Sequence, residues 1–153
     1  MLSNVIFYSL DKAIRRYRRF AQANIDKAGV DITIDQWLVL RVVEEHDDLT
    51  QIEIAERVFK DQASVARILA LLLRRGLLHS EPQPNDGRRT RLRVSPAGEA
   101  ALAAVHPVVL SNRATALDGL SETDLDHLRQ VLDRIYRNCS AEPTENSGAA
   151  HEA

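Results

Sequence analysis

The chain has 153 residues, 44% hydrophobic and 27% charged, with a net charge of −2, the make-up of one ordinary domain with a sizeable core or of a smaller domain carrying dimerisation arms. No apolar run approaches the length that spans a bilayer, and Met1-Leu-Ser-Asn lacks the charged and apolar regions of a signal peptide, so a cytoplasmic protein is expected. The single Cys139 excludes an intramolecular disulfide and a multi-thiolate metal site, and a lone thiol near a helix end reads as an inert packing residue.

From Asn4 to Ala28, Phe7, Leu10, Ile14, Tyr17, Ala21 and Ile25 recur at spacings of three and four. That pattern predicts a long amphipathic helix ending near Gly29. Its polar face carries Arg15, Arg16, Arg18 and Arg19, a solvated face with ion pairs to Asp11 and other acids. A second helix is expected from Thr33, where Thr33-Ile-Asp-Gln36 is a capping box, through to His46. It is nearly apolar on several sides, which suits a helix packed between other elements, and Trp37 reads as core.

Thr50-Gln-Ile-Glu53 is another capping box and opens a third helix. A fourth should begin at Asp61, run from Gln62 to Arg75 and stop at Gly76, a residue that tolerates the left-handed conformation ending helices. On this helix Val65, Ile68, Leu69 and Leu72 share one face, and Ala63, Arg67, Ala70 and Arg74 fall opposite. Taken alone, that second face reads as ordinary solvated surface. Small residues with arginine also suit a DNA groove: alanines let the backbone approach, and Arg67 can reach a guanine edge or a phosphate.

The next segment changes the weighing. Pro82, Pro84 and Asn85-Asp86-Gly87 make a turn, after which Arg88, Arg89, Arg91 and Arg93 crowd into one strand. Arg89, Arg91 and Arg93 share one strand face, with Thr90, Leu92 and Val94 on the other. Like charges at that spacing repel unless a polyanion sits nearby. From Lys60 to Arg93 there are eight Lys/Arg against three Asp/Glu, a net +5, which leaves −7 on the remainder. A basic patch on an acidic body attracts phosphate where the reading elements lie and orients the approach. Beyond this ribbon, Ser95-Pro96 caps a helix running to about Leu117, with Pro107 inside it as an expected kink. Asp118-Gly-Leu120 turns the chain, and Ser121-Glu-Thr-Asp124 caps a last helix with the stripe Leu125, Leu128, Val131, Leu132 and Ile135. Residues 140–153 are small and polar without periodicity and are expected to form a disordered tail.

The residues Leu49-Thr-Gln-Ile-Glu-Ile-Ala-Glu-Arg57, Val65-Ala-Arg67, Arg75-Gly-Leu-Leu78 and Asp86-Gly-Arg88-Arg89-Thr-Arg-Leu92-Arg-Val94-Ser-Pro-Ala-Gly98 resemble the MarR family of winged helix-turn-helix regulators. The resemblance covers roughly Asn4 to Asn138, and the last motif is its most specific part. In the family the arginine at the wing tip enters the minor groove, and an aspartate two positions earlier helps to shape the wing. Arg88 and Asp86 occupy those positions. Two departures stand out: Ser80 replaces a residue that is often basic, and Ile68-Leu-Ala-Leu-Leu-Leu73 is unusually apolar, which suggests added burial around Leu71 or Leu73. Family members that sense peroxides carry a cysteine near the start of the chain, and none is present there.

The resemblance implies a mainly α fold with a small β-wing, a winged helix-turn-helix flanked by N- and C-terminal dimerisation helices. The expected divisions are 1–30 for the N-terminal dimerisation helix, 31–96 for the DNA-binding lobe, 97–139 for the C-terminal dimerisation helices and 140–153 for the tail. Thr50, Gln51, Gln62, Ala63, Ser64, Arg67, Arg74, Asp86, Arg88, Arg89 and Arg91 are the expected DNA-binding residues. The expected partners are double-stranded DNA with a pseudo-palindromic operator, a second copy of the chain, and a small aromatic or phenolic effector that releases a repressor. Tyr17, Trp37, Arg41 and His106 are candidate lining for the effector pocket, and an arginine with aromatics there would suit a carboxylated ring.

Three other readings compete. An enzyme finds no support: His46, His79, His106, His127 and His151 are scattered, and no phosphate loop, nucleophile triad or paired carboxylate can be recognised. No cofactor and no catalytic residue are expected. A winged helix used only as a protein-interaction module has no need of Arg88, Arg89, Arg91 and Arg93 together. A metal-responsive winged-helix repressor lacks its thiolates; His46 with Glu44, Glu45 or Asp47 is the remaining combination, and these residues read as a solvated helix end.

Overall fold

A computed structural model describes residues 1–46, 48–83 and 85–140, and for Asp86, Gly87 and Arg89 the backbone alone. After one 3-10 turn at Leu2–Asn4, six α-helices and one two-stranded sheet follow in the order α1 (Ile6–Lys27), α2 (Ile34–Glu45), α3 (Gln51–Val58), α4 (Gln62–Arg74), β1 (Leu78–Gln83), β2 (Asp86–Val94), α5 (Pro96–Ala116) and α6 (Glu122–Ser140). No helix among the described residues is long and apolar enough to cross a membrane. The expected tail, apart from Ser140, lies outside the described residues, as do Asp47 and Pro84.

The helix starts are set by side chains that satisfy otherwise orphaned N–H groups. Thr33 accepts from Gln36 N at 3.1 Å while Gln36 accepts from Thr33 N, and Thr50 with Glu53 makes the same reciprocal pair. Asp61 caps α4 by accepting from Ser64 N at 2.8 Å. Gly29 and Gly76 follow α1 and α4 at φ 72° and 71°. The turn between α3 and α4 breaks this pattern. Phe59 holds it at φ 57°, in the left-handed region that costs a bulky residue about 1–2 kcal/mol. Its side chain is 77% exposed. Lys60 N donating to Ala55 O at 3.1 Å helps to close the turn.

The chain divides into two compact units, Met1–Ala116 and Leu117–Ala153. In the first, α2 is the central element, packing against α1, α3, α4, α5 and β2. Val39 and Leu40 of α2, Ile54 of α3, Val65, Leu69 and Leu72 of α4, Leu78 of β1 and Val105 of α5 form a core with almost no exposed surface. At about 25 cal/mol per Å2 of apolar surface, such burial is the main term holding the unit together. Leu92 and Val94 turn inward against this core, as their strand alternation predicts. Of the two leucines expected to be buried further, Leu71 is half-buried and Leu73 is exposed.

α1 and α5 are pinned by a polar contact that periodicity did not reveal. Asn112, only 2% exposed, donates to Ala21 O at 3.3 Å and accepts from Asn24 Nδ2 at 2.8 Å. The N-terminal half of α1 leaves Val5, Ile6, Phe7, Tyr8 and Ile14 exposed. In the second unit, Gly119 turns the chain at φ 82° and Ser121 caps α6 with Asp124. Within α6 the apolar stripe is likewise open: Leu128, Val131, Leu132 and Tyr136 are 41–61% exposed.

At the junction between wing and α5 the backbone segments approach closely. Ser95 N donates to Leu77 O, the Ser95 hydroxyl donates to Gly76 O, and Gly98 N donates to Ser95 Oγ at 3.0 Å. A Cβ on Gly98 would stand 2.2 Å from Leu77 O and 2.7 Å from Val94 Cγ1. Gly98→Ala is therefore expected to destabilise the protein by about 2–3 kcal/mol, seen as a lower urea midpoint with an unchanged slope.

Candidate nucleic-acid interface

Because α4 buries Val65, Leu69 and Leu72, its remaining stripe must face outward. Ala63, Arg67, Ala70 and Arg74 are all exposed, as are Thr50 and Gln51 at the start of α3 and Gln62 at the start of α4. Ser64 is half-buried, and its hydroxyl donates to Asp61 Oδ2 at 2.7 Å and accepts from Arg67 at 3.3 Å. The Ser64 hydroxyl and backbone N–H hold the Asp61 carboxyl below the usual carboxylate range. Cap, serine and arginine thus form one chain of hydrogen bonds that gives Arg67 a preferred direction at the N-terminal end of the helix.

The wing pairs Leu78 with Val94, His79 with Arg93, Ser80 with Leu92, Glu81 with Arg91 and Pro82 with Thr90, and its register shifts between Pro82 and Gln83. Pro82 fits because a two-stranded ribbon leaves each strand an open edge. Arg88 and Thr90 are exposed near the tip. The expected repulsion among the arginines is relieved within the chain itself. Glu81 Oε2 lies 3.3 Å from Arg91 and 3.7 Å from Arg93, and its other oxygen accepts from His79 at 2.8 Å. Hydrogen bonds from His79 and then Arg91 keep Glu81 below the usual carboxylate range. Arg91 is consequently the least exposed member of this cluster, with 23% of its side-chain surface open.

Two of the basic residues near α4 are engaged elsewhere. Arg75, at the C-terminal end of α4, donates to Asp31 O at 2.6 Å and to Gln36 Oε1 at 3.3 Å. Lys60, just before α4, pairs with Asp35 at 3.1 Å, and Arg18 of α1 pairs with the other oxygen of the same carboxylate. Burial pushes Asp35 upward, but the hydrogen bonds and charges of Arg18 and Lys60 together hold it below its ordinary value. The N-terminal end of α2 therefore grips both ends of α4. The spacing of Asp31 and Asp35 in the sequence carries no signal for this.

A cavity of about 620 Å3 lies on another side of α2, between it and α5. Trp37, Arg41 and His106 line it with Leu102, Val109 and Glu99 among others, whereas Tyr17 is half-buried and does not. Arg41 is matched by two carboxylates, Glu44 and Glu45, each at 2.5 Å. Arg41 is thus ion-paired within α2, and Arg113 of α5 is the second guanidinium in the cavity wall. The same pairings occupy two of the residues considered for a His/carboxylate metal site.

A buried helix face forcing out an Ala/Arg stripe, followed by an arginine-bearing ribbon, defines a winged helix-turn-helix DNA-binding protein. The MarR family profile matches residues 30–89. The chain is 24% identical to the HTH-type transcriptional repressor IacR of Pseudomonas putida over 132 residues, 86% of this chain and 78% of that protein. Among solved structures, a probable transcriptional regulator from Pseudomonas aeruginosa is 29% identical with a TM-score of 0.71, covering 88% of this chain and 99% of its own. Bordetella bronchiseptica BpsR, whose DNA binding is regulated by 6-hydroxynicotinic acid, has the same fold, with a TM-score of 0.77 at 21% identity over 92% of this chain and 96% of its own. Residues 30–89 thus resemble the MarR family, and the chain shares the winged-helix fold of the transcriptional regulators to which it is similar.

The Asp35 node gives a pH test. Its folded value lies below 3.8, so its contribution is complete above that pH and is lost as pH falls through the folded value. Asp35→Asn is expected to cost about 1 kcal/mol at neutral pH, a gap that stays constant down to about pH 5 and closes below about pH 4. Thermal unfolding of both proteins from pH 7 to pH 3 measures it.

Proposed function

We propose that the chain is a homodimeric repressor acting in the cytoplasm, which reads a pseudo-palindromic operator with two copies of α4 and leaves it when a small aromatic molecule binds. The observation that carries the DNA-reading part is the outward stripe of α4, fixed by burial of the opposite face. In this reading, Gln62, Ala63, Ser64, Arg67 and Arg74 approach the major groove, and Thr50 and Gln51 touch the flanking backbone. Arg88 enters the minor groove, with Asp86 supporting it and Arg89 beside it, while Arg91, expected to join them, pairs with Glu81 within the ribbon. The exposed apolar stripes of α1 and α6 support a dimer, since a second copy would cover surface that monomers rarely leave open. Residues 1–30 and 97–139 then serve dimerisation and residues 31–96 bind DNA. Half-sites would lie about one helical turn, roughly 10 base pairs, apart.

Release follows from the position of α2. One side of this helix lines the cavity, and its N-terminal end holds Lys60 and Arg75 at the two ends of α4. A ligand that binds better when α2 is displaced shifts both recognition-helix ends, and by linkage DNA binding opposes that ligand.

Arg67→Ala should cost roughly 1–3 kcal/mol on the operator and less on unrelated DNA, because it removes a base-edge contact. Arg88→Ala should weaken both more evenly and flatten the salt dependence. Asp86→Ala should mimic part of the Arg88 effect although it removes a negative charge. Titrations of operator and scrambled duplexes at several salt concentrations, with the stoichiometry read by sedimentation, test all three. An Arg67→Ala loss equal on both duplexes, tighter binding by Asp86→Ala, or one chain per operator overturns the reading.

Effector charge is a separate test. Glu44, Glu45 and Glu99 outnumber Arg41 and Arg113 in the cavity wall, and Trp37 offers a ring face to a cation. With the ring held constant, 2-phenylethylamine and 2-phenylethanol should bind roughly tenfold tighter than phenylacetate, a difference of about 1.4 kcal/mol. Fluorescence of Trp37, the sole tryptophan, reports each titration. Tightest binding by phenylacetate overturns this charge assignment.

A further inference from the structure

Glu81 meets two arginines of the wing, Arg91 and Arg93. It faces Arg91 directly across the ribbon, Arg93 lies two residues along on the same strand face, and His79 occupies the fourth corner opposite Arg93. Successive residues alternate faces, so this register brings all four side chains to one side of the sheet. The carboxylate divides its oxygens: Oε1 accepts from His79 at 2.8 Å, and Oε2 lies 3.3 Å from Arg91 and 3.7 Å from Arg93. The half-exposed pair contributes little to stability. Its consequence for DNA is larger, because phosphate attraction depends on how many positive charges a binding surface presents free of internal counter-charge.

We propose that Glu81 is a specificity-determining residue, a carboxylate clamp that withholds Arg91 and Arg93 from the phosphate backbone and so keeps the wing's sequence-independent attraction low. The proposal rests on the reading that the wing meets DNA. A long side chain with unpaired charge finds a phosphate in any register, so freeing Arg91 adds to binding on every duplex. On the operator, base contacts made by α4 already fix the pose, and the freed arginine adds less. In the wild-type protein the clamp keeps the contribution of Arg91 to random DNA small, and the ratio between operator and random DNA is preserved.

Glu81→Gln keeps the size of the side chain and removes its charge at a half-exposed position, so folding is not at risk. Wild type, Glu81→Gln, Arg91→Gln, the double variant and Arg88→Ala are titrated against operator and scrambled duplexes from low to moderate salt. On scrambled DNA, Glu81→Gln should bind about three- to fivefold tighter, with a salt slope steeper by about 0.9, the signature of one added phosphate contact. On the operator the gain should be smaller, so the specificity ratio falls. Arg91→Gln alone should change the slope little, and in the Glu81→Gln background it should remove most of the gain. Unchanged or weaker binding by Glu81→Gln overturns the clamp. A gain that persists in full without Arg91 also overturns it, since the effect is then that of a distant charge. If Arg88→Ala is silent as well, the reading of the wing as a DNA contact falls with it, whereas an Arg88→Ala loss beside a silent Glu81→Gln removes the clamp alone.

Discussion

The burial of one face of α4 is the constraint on which the interface depends. Val65, Leu69 and Leu72 are at most 1% exposed, and each draws on partners from other elements of the same unit. With that face fixed to within a few degrees of rotation, the 3.6-residue repeat leaves no freedom about where Arg67 and Arg74 point. A rotation large enough to turn the stripe away from a groove would lift three fully buried side chains into water, at roughly 1.5–3 kcal/mol each. Orientation of the reading surface is thus a by-product of hydrophobic packing, and the exposed residues are left to be chosen for recognition.

Charge is arranged by subtraction as much as by placement. The segment from Lys60 to Arg93 is strongly basic, yet Lys60, Arg75 and Arg91 are each tied to an acid or a carbonyl. What remains outward from α4 is Arg67 and Arg74. A basic surface in which some arginines are already compensated binds random polyanions less than its formal charge suggests, and it leaves directional contacts to decide affinity.

Much of this was legible in the sequence because the signals are local. Each cap lies within four residues, so Thr33, Thr50, Asp61 and Ser121 announce their helices without tertiary context. The amphipathic stripe of α4 and the alternation of Leu92 and Val94 likewise depend only on spacing. The misses are contacts between segments that a period cannot link. Nothing around Phe59 marks a left-handed residue, since the usual glycine is absent there. Asn24 and Asn112 are 88 positions apart, and each alone looks like a surface amide. Glu81 carries no signal of its own in the sequence, because its partnership depends on the register that sets it opposite Arg91. Arg41 alone suggests an available cation, but Glu44 and Glu45, exposed one turn along the same helix, both pair with it.

These missed contacts concentrate on α2, which gives that helix two distinct roles. Its apolar residues Val39, Leu40 and Val43 are buried in the core, so it cannot move independently of α3 and α4 at low cost. Its polar residues do different work at each end. Asp35 and Gln36 near the start reach the two ends of the recognition helix, and Arg41, Glu44 and Glu45 near the finish form part of the cavity wall. A helix of 12 residues is about 18 Å long, which is short enough to behave as a rigid bar. Any tilt forced at the cavity end must then appear at the Asp35 end, where ion pairs are more easily remade than packed side chains. The proposed release therefore requires no chain of subtle displacements between the cavity and α4: one packed bar with a polar grip at its end is sufficient.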